Sequence, residues 1–197
     1  ILTSVATVAC TGMIYASLKP IPRWHNAWVV PAYLALAIAS GGLIFLVAAA
    51  VSDGADKMLL MEALLAVLLA WSMKWGYWTW IDRRKETSSS GTATGLGQFG
   101  EVRQLEAPHT SDNFVLKEMG YTIARKHAVR LRKIALRMGA MVPAILIVFG
   151  TIPTGVIQVS MLSFGMLCGL VGVIIERWLF FAEAQHAVTL FYGERML

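Results

Sequence analysis

The residues whose types and spacing could support chemistry lie close to the C-terminus, in the segment "ERWLFFAEAQH" (176–186). Glu176 and Glu183 are seven residues apart, nearly two helical turns, and would therefore share a helix face. His186 follows Glu183 by three residues, a spacing at which helical side chains meet. Carboxylates and an imidazole among aromatic rings could bind a quinone and move the protons that accompany its two electrons. The plainer interpretation is that Glu176 and Arg177 pair with loop groups at a membrane interface.

A second candidate segment, "SLKPIPRWHNAW" (17–28), separates two apolar runs. Its two prolines hold the chain extended and end the preceding helix. We therefore expect Arg23, Trp24 and His25 to project toward a membrane rim. Anchoring at the level of the lipid headgroups would explain Trp24, but it explains His25 less well.

The elements that must position these segments are predicted to be transmembrane helices. The chain has 197 residues, of which 57% are hydrophobic and only 15% charged, against roughly 25% charged in soluble domains. Backbone groups in lipid must be satisfied within a helix, so each long apolar run predicts a span. We predict an all-α integral membrane protein, a helical bundle with five transmembrane helices at about 1–16, 28–51, 58–81, 134–150 and 156–181.

The chain is predicted to divide into three parts. Residues 1–80 carry the first three spans, 81–133 form a polar loop, and 134–197 carry the last two spans and the C-terminal tail. The loop begins with a Ser/Thr/Gly-rich part, 86–100, which we expect to be flexible. A basic amphipathic helix follows, with Ser111 or Asp112 as its N-cap.

The connections between the spans alternate between two sides and differ in charge. Side A, defined by the loop 17–27, also holds the polar loop and the C-terminus. Side B holds the short turns near 52–57 and 150–155, with Lys57 as its cation, whereas eleven Lys or Arg lie between Arg83 and Arg137 on side A. The positive-inside rule makes side A cytoplasmic, which predicts a multi-pass protein of a bacterial inner (cytoplasmic) membrane.

The basic helix of the polar loop has two open interpretations. Six cations from Arg125 to Arg137 have no acidic residue among them. They could lie against anionic lipid headgroups, or they could bind a soluble partner on side A. A short basic helix beside a membrane is poor support for nucleic-acid binding. The candidate docking residues are Arg125, Lys126, Arg130, Arg132 and Lys133.

The cysteines and histidines argue against a metal or haem centre held by this chain. Cys10 and Cys168 both lie in apolar runs, without the paired spacing of a metal site. A haem within the bundle needs facing axial ligands, and no histidine falls in the middle of a predicted span.

Two stretches resemble a known family: "TGMIYASLKPIPRWHNAWVVPAYLALAIASG" and "ERWLFFAEAQHAVTLFYGE". They are similar to the membrane anchor subunit of dimethyl sulfoxide reductase-type enzymes, the DmsC family. The stretch "PHTSDNFVLKEMGYTIARKHAVRLRKIALRMG" resembles the branch that serves cytoplasmic sulfite-oxidising molybdoenzymes. The family has eight transmembrane helices, and this chain looks like the last five, so the resemblance implies further helices before Ile1.

The resemblance implies an anchor and quinone-reactive subunit that is not catalytic alone. Its partners would be an iron–sulfur subunit with [4Fe-4S] clusters and a molybdopterin catalytic subunit, and its cofactor a quinone (ubiquinone or menaquinone), with no haem or metal in this chain. The expected catalytic residues are His25, Glu176, Glu183 and His186. The expected quinone contacts are Tyr15, Arg23, Trp24 and Arg177. Rival hypotheses are a purely structural scaffold and a transporter.

Overall fold

A computed structural model describes residues 1–52, 54–84, 89–103, 105–106, 122–184 and 190. Most of these residues are helical. The α-helices in chain order are α1 (Leu2–Ala16), α2 (Val29–Ser52), α3 (Lys57–Arg83), α4 (Ser90–Thr94), α5 (Thr122–Lys126), α6 (Ala128–Leu136), α7 (Val142–Phe149) and α8 (Val156–Ala182). A 3₁₀ turn covers Leu96–Phe99, and a π-helical segment, Arg137–Met141, joins α6 to α7.

Three helices are long and apolar enough to cross a membrane, judged by length and composition. They are α2, α3 and α8, with mean hydropathies of 2.5, 1.6 and 2.0. Their bounds agree with the second, third and fifth predicted spans to within two residues. Because α1 has 15 residues and the fourth predicted span is divided, the count of five transmembrane helices remains a prediction.

The fourth predicted span is interrupted by the π-helical segment at a close helix contact. Gly139 lies in this segment against Trp71 of α3, and a Cβ atom at Gly139 would overlap the indole ring. On its other side the Gly139 backbone lies against Gly172 of α8. Two glycines therefore let α3, α8 and the π-helical segment approach closely, which is the usual role of small residues between membrane helices.

Local signals fix the starts of two long helices. The Asp56 side chain caps α3 by accepting a hydrogen bond from the Leu59 amide at 2.7 Å. Gly155 precedes α8 with a φ of +66°, a conformation that favours glycine. The turn between α7 and α8 is closed by Gln158, whose side-chain amide donates to the Gly150 carbonyl at 2.9 Å.

The polar loop contains more regular structure than the sequence predicts. The part expected to be flexible holds α4, which begins with a capping box formed by Ser89 and Thr92; local side-chain hydrogen bonds explain this short helix. The basic helix is divided at His127 into α5 and α6. The expected caps Ser111 and Asp112 lie outside the described residues, and α6 continues through residue 133 into the π-helical segment.

The bundle is organised around α2 and α8. Helix α2 packs against α1, α3 and α8, and α7 packs against α3 and α8. The C-terminal ends of α1, α3 and α8 meet the loop 17–28 and the helix α6 at one end of the bundle. This end corresponds to side A, so both candidate segments lie together there.

Candidate functional site at the side A end of the bundle

A buried cluster of three charges links α3 to α8. Lys74 and Glu176 are 1% and 0% exposed, and the Lys74 Nζ lies 2.5 Å from Glu176 Oε1. Arg177 donates to the same carboxylate, with Nε 2.5 Å from Oε2 and Nη2 2.8 Å from Oε1. One anion thus faces two cations, so the cluster carries a net positive charge.

The Arg177 guanidinium has one donor nitrogen that is not used in the contact with Glu176. Its Nη1 atom is buried and has no hydrogen-bond partner within the described part of the chain. The guanidinium carbon lies 4.2 Å from the centre of the Tyr33 ring and 5.0 Å from that of Phe180. An unsatisfied buried N–H is costly, which makes Nη1 a natural partner for an acceptor oxygen of a ligand.

Aromatic rings surround this donor. Tyr15 has ring centroids of four neighbours at 5.1–5.9 Å, from Trp24, Tyr33, Phe180 and Phe181. Trp24 stacks on Phe180 with centroids 5.6 Å apart. We call these five rings the aromatic cluster. It combines rings from α1, the loop 17–28, α2 and α8, and it forms flat apolar walls beside Arg177.

The loop 17–28 is fixed to the bundle by hydrogen bonds at Arg23 and Trp24. The Trp24 indole Nε1–H donates to the Phe180 carbonyl at 2.9 Å, in a buried position. The Tyr77 hydroxyl of α3 donates to the Arg23 carbonyl at 2.8 Å. Trp24 is therefore a buried packing residue rather than a ring at headgroup level.

His25 lies at the exposed surface of the same loop. Its Nδ1 is 2.6 Å from the Ala16 carbonyl oxygen at the end of α1. Because a carbonyl only accepts, Nδ1 carries the proton in this contact. The ring therefore caps the C-terminus of α1 through Nδ1. The other ring nitrogen, Nε2, takes no part in this contact.

Glu183 belongs to a separate ionic cluster. Arg132 of α6 holds it through two hydrogen bonds, Nε to Oε1 at 2.8 Å and Nη2 to Oε2 at 2.6 Å. Arg132 Nη1 also reaches Asp82 at the end of α3 at 2.5 Å, and Arg23 Nη1 lies 3.4 Å from Glu183. Burial lowers the pKa of the Arg132 guanidinium, but the hydrogen bonds and charges of Glu183 and Asp82 outweigh burial and raise it.

The candidate docking residues fall into two groups. Arg125 and Arg132 are half-buried and form intramolecular bonds; Arg125 donates to the carbonyls of Ala182 at 3.1 Å and Ala184 at 2.9 Å, at the end of α8. Lys126, Arg130 and Lys133 are exposed. Cations near helix C-termini bind the last carbonyls favourably, so Arg125 fastens α5 to the end of α8, and Arg132 fastens α6 there through Glu183.

The two carboxylates that the sequence places on one face of α8 have different partners. Glu176 pairs with Lys74 and Arg177, whereas Glu183, at the C-cap of α8, pairs with Arg132. His186 lies outside the described residues, so its expected contact with Glu183 stays a prediction. Arg23 approaches Glu183, and Tyr15 and Trp24 lie in the aromatic cluster beside Arg177.

Lys74 is the main residue that sequence reasoning missed. Around Lys74, in the segment "WSMKWGYWTW" (71–80), Trp71, Tyr77 and Trp78 are buried, whereas Trp75 is 60% exposed. Two of the buried rings face the Lys74 ammonium, which lies 3.9 Å from the Tyr77 centroid and 5.3 Å from that of Trp78. A single lysine inside an apolar helix is itself a signal of function.

The described residues contain no group of three or more His, Cys, Asp or Glu side chains arranged to hold a metal ion. Cys10 is exposed on α1 and Cys168 is buried in α8.

The chain has a relative among curated proteins. Over 195 residues, 97% of this chain, it is 29% identical to the C subunit of the sulfite dehydrogenase of Allochromatium vinosum. The match covers 58% of that relative, so the chain spans less than two thirds of its relative's length. No family model matches the chain, and no solved structure matches it.

Proposed function

We propose that this chain is the membrane anchor and quinone-reactive subunit of a sulfite-oxidising molybdopterin oxidoreductase complex of the DmsC type. It would pass electrons between a partner iron–sulfur subunit and a membrane quinone. The likeness to a sulfite dehydrogenase subunit supports the class of complex and the oxidation of sulfite by a partner. The apolar helices α2, α3 and α8 support a place in the membrane.

In the proposed topology the chain crosses a bacterial inner membrane five times, with side A facing the cytoplasm. Lys126, Arg130 and Lys133 are exposed on α5 and α6 and would bind an acidic surface of the iron–sulfur subunit. The molybdopterin subunit would contact that subunit rather than the membrane. A redox centre docked there would lie directly above the aromatic cluster.

The observation that carries the quinone proposal is the buried, unpartnered Nη1 of Arg177 beside the aromatic cluster. A quinone presents a flat ring and carbonyl oxygens that accept hydrogen bonds. The donor and the aromatic walls fit that chemistry. We assign to Arg177 the hydrogen bond from Nη1 to one carbonyl oxygen of the quinone. We assign the contacts with the quinone ring to Tyr15, Tyr33 and Phe180.

Each remaining residue has a role set by its contacts. The bound quinone would take up two electrons and two protons. Glu176 contacts Lys74 and Arg177 with both oxygens, so it positions the donor. Trp24 holds Phe180 in place, because its indole N–H is bonded to the Phe180 carbonyl. His25, at the exposed surface, and Glu183 would exchange protons with water on side A, together with His186.

The test uses the purified complex and two variants at one position, Arg177→Gln and Arg177→Lys. Loss of a charge-assisted hydrogen bond, worth roughly 1.5–3 kcal/mol, should raise the KM for quinone at least about tenfold. Sulfite oxidation with a soluble electron acceptor should stay unchanged, since that reaction bypasses the anchor. Arg83→Gln, an exposed arginine at the end of α3, is the matched control.

The result that overturns the quinone proposal is an unchanged KM for quinone in both Arg177 variants. A fall in both activities would instead show that the complex itself is damaged, and subunit stoichiometry on a sizing column detects that damage. The lysine variant keeps the charge next to Glu176, so a selective effect there isolates the missing Nη1 donor.

A second candidate function, a structural scaffold without a quinone site, is favoured by how fully the side A end is bonded. The indole N–H of Trp24 is bonded to α8, and Arg125 of α5 and Arg132 of α6 bind the end of the same helix. Under this alternative the complex would bind no quinone in the region of Arg177. A photoreactive quinone that labels Tyr15, Tyr33 or Phe180 would rule it out.

A further inference from the structure

A cavity of about 300 Å³ opens at the side A end of the bundle, apart from Arg177 and the aromatic cluster. Three arginines line it, Arg23, Arg125 and Arg132, together with the carboxylates of Asp82 and Glu183. These residues come from the loop 17–28, α3, α5, α6 and the end of α8. The cavity therefore lies where separate helices meet at the proposed membrane rim.

The carboxylates of the cavity are already compensated. Arg132 reaches Asp82 at 2.5 Å and Glu183 at 2.6 and 2.8 Å, so it lies between the two acids. The cavity is lined by three guanidinium groups and two carboxylates, so its net charge is +1. The groups that supply this surplus are Arg23 and Arg125.

Both of these arginines keep hydrogen-bond donors available. Arg23 contacts Glu183 through Nη1 alone, at a long distance of 3.4 Å. Arg125 uses Nε and Nη2 on the carbonyls at the end of α8, which leaves its Nη1 without a hydrogen bond among the described residues. Two cationic donors therefore line one cavity, Arg23 from the loop 17–28 and Arg125 from α5.

The remaining wall of the cavity is apolar and open to the outside. It is formed by Ala128 and Val129 of α6, and Val129 is 66% exposed. An exposed valine between cationic groups suits a ligand that has carbon atoms next to an anion. At the ends of apolar helices, such a ligand is a membrane lipid.

We propose that this cavity binds the phosphodiester headgroup of an anionic phospholipid, such as phosphatidylglycerol. Arg23 and Arg125 donate charge-assisted hydrogen bonds to the phosphate oxygens, and Val129 contacts the glycerol and the first acyl carbons. The single negative charge of the lipid neutralises the single surplus charge of the cavity. The bound lipid joins the loop 17–28 to α5 and α6.

The test measures lipid binding to the protein purified in mild non-ionic detergent with any subunits that remain attached. Native mass spectrometry counts bound lipid during titration with phosphatidylglycerol, phosphatidylcholine or inorganic phosphate. We expect one tightly bound phosphatidylglycerol, weaker phosphatidylcholine, and no displacement by phosphate. Arg23→Gln and Val129→Glu should each weaken phosphatidylglycerol at least about tenfold.

Lys133→Gln is the matched control, because it removes one exposed cation of α6 that does not line the cavity. It should leave the tight lipid unchanged. The proposal is overturned by equal binding of the two lipids, by equal binding to all variants, or by displacement with inorganic phosphate. It is also overturned if phosphatidylglycerol binds only after a partner subunit is stripped off, since the cavity would then be a protein docking site. Because Val129 is exposed, Val129→Glu keeps the test valid if Arg23→Gln fails to fold.

Discussion

At the scale of single residues, the buried charges differ in how far the fold depends on them. Glu176 is the only carboxylate in direct contact with both Lys74 and Arg177 in the described structure. Its removal leaves two cations buried together, whereas removal of Lys74 leaves a neutral pair with two hydrogen bonds. The anion, not the number of ion pairs, therefore decides the stability of this cluster.

We predict that Glu176→Gln lowers the free energy of unfolding by about 3–5 kcal/mol, the usual cost of breaking a buried ion pair. Lys74→Met should cost less than about 1.5 kcal/mol, because methionine has a similar shape and removes the surplus charge. Denaturation followed by tryptophan fluorescence in detergent measures both values. Equal losses in the two variants would contradict this ranking.

The sequence predicts part of this cluster and misses the rest for a definite reason. Glu176 and Arg177 stand out because they follow a long apolar run, and their place near the end of α8 could be counted from it. The pairing of Glu176 with Lys74 could not be predicted, because spacing along one helix does not indicate which residue of another helix lies opposite. The same holds for Arg132 and Glu183, whose contact joins α6 to α8.

At the scale of elements, the junction of α6 and α7 is the least regular part of the bundle. The π-helical segment Arg137–Met141 contains Gly139, which takes up the close approach of Trp71. π-helical turns inside longer helices are rare and often lie at functional sites. Here the segment lies between the charge cluster of α3 and α8 and the basic helix α6.

Gly139→Ala should destabilise the bundle by roughly 1–3 kcal/mol or more, the range for an overpacked core, because the added methyl group overlaps the indole of Trp71. Gly41→Ala is the control, since nothing lies within 4 Å of a Cβ there. Thermal unfolding in detergent, measured by circular dichroism, compares the two. A Gly139 variant as stable as the control would show that Trp71 moves aside without cost.

Element positions follow from the sequence where composition alone decides them. Helices α2, α3 and α8 agree with their predicted spans to within two residues, because long, predominantly apolar runs favour membrane helices. The fourth span was predicted as one helix because its residues are mostly apolar; Arg137 begins the π-helical segment and Pro143 lies just beyond its end, but neither residue by itself distinguishes a π-helical turn from an α-helix. The short helix α4 was missed because its Ser and Thr content suits both a flexible linker and a capping box.

At the scale of the whole molecule, charge is divided between the two ends. Lys57 marks side B, whereas Arg132, Lys133 and the other basic residues of α6 lie at side A with the end of α8. The assignment of side A to the cytoplasm uses only the charges of the loops, and it stays a prediction. The packing of α5 and α6 onto α8 was not predictable, because it depends on Arg125 and Arg132 reaching groups at the end of α8, more than 50 residues further along the chain.

Cysteine labelling tests the proposed topology. Arg83→Cys should react with a membrane-impermeant maleimide only in inside-out vesicles, and Thr151→Cys only in right-side-out vesicles, because both positions are exposed and lie at opposite ends of the bundle. The native chain is the blank, since its cysteines lie within α1 and α8. Labelling of both positions from the same face would refute the topology.

The contact between Lys74 and Glu176 has a consequence for biosynthesis. The two residues are 102 positions apart in the chain, so α3 leaves the ribosome well before its counter-charge exists. At a translation rate of about 5–20 residues per second, Glu176 is synthesised roughly 5–20 seconds after Lys74. During that interval α3 carries an uncompensated cation, and it must be sheltered by the insertion machinery or stay shallow in the bilayer. The insertion of α8, which carries Glu176, is therefore the step that fixes the depth of α3 in the bilayer.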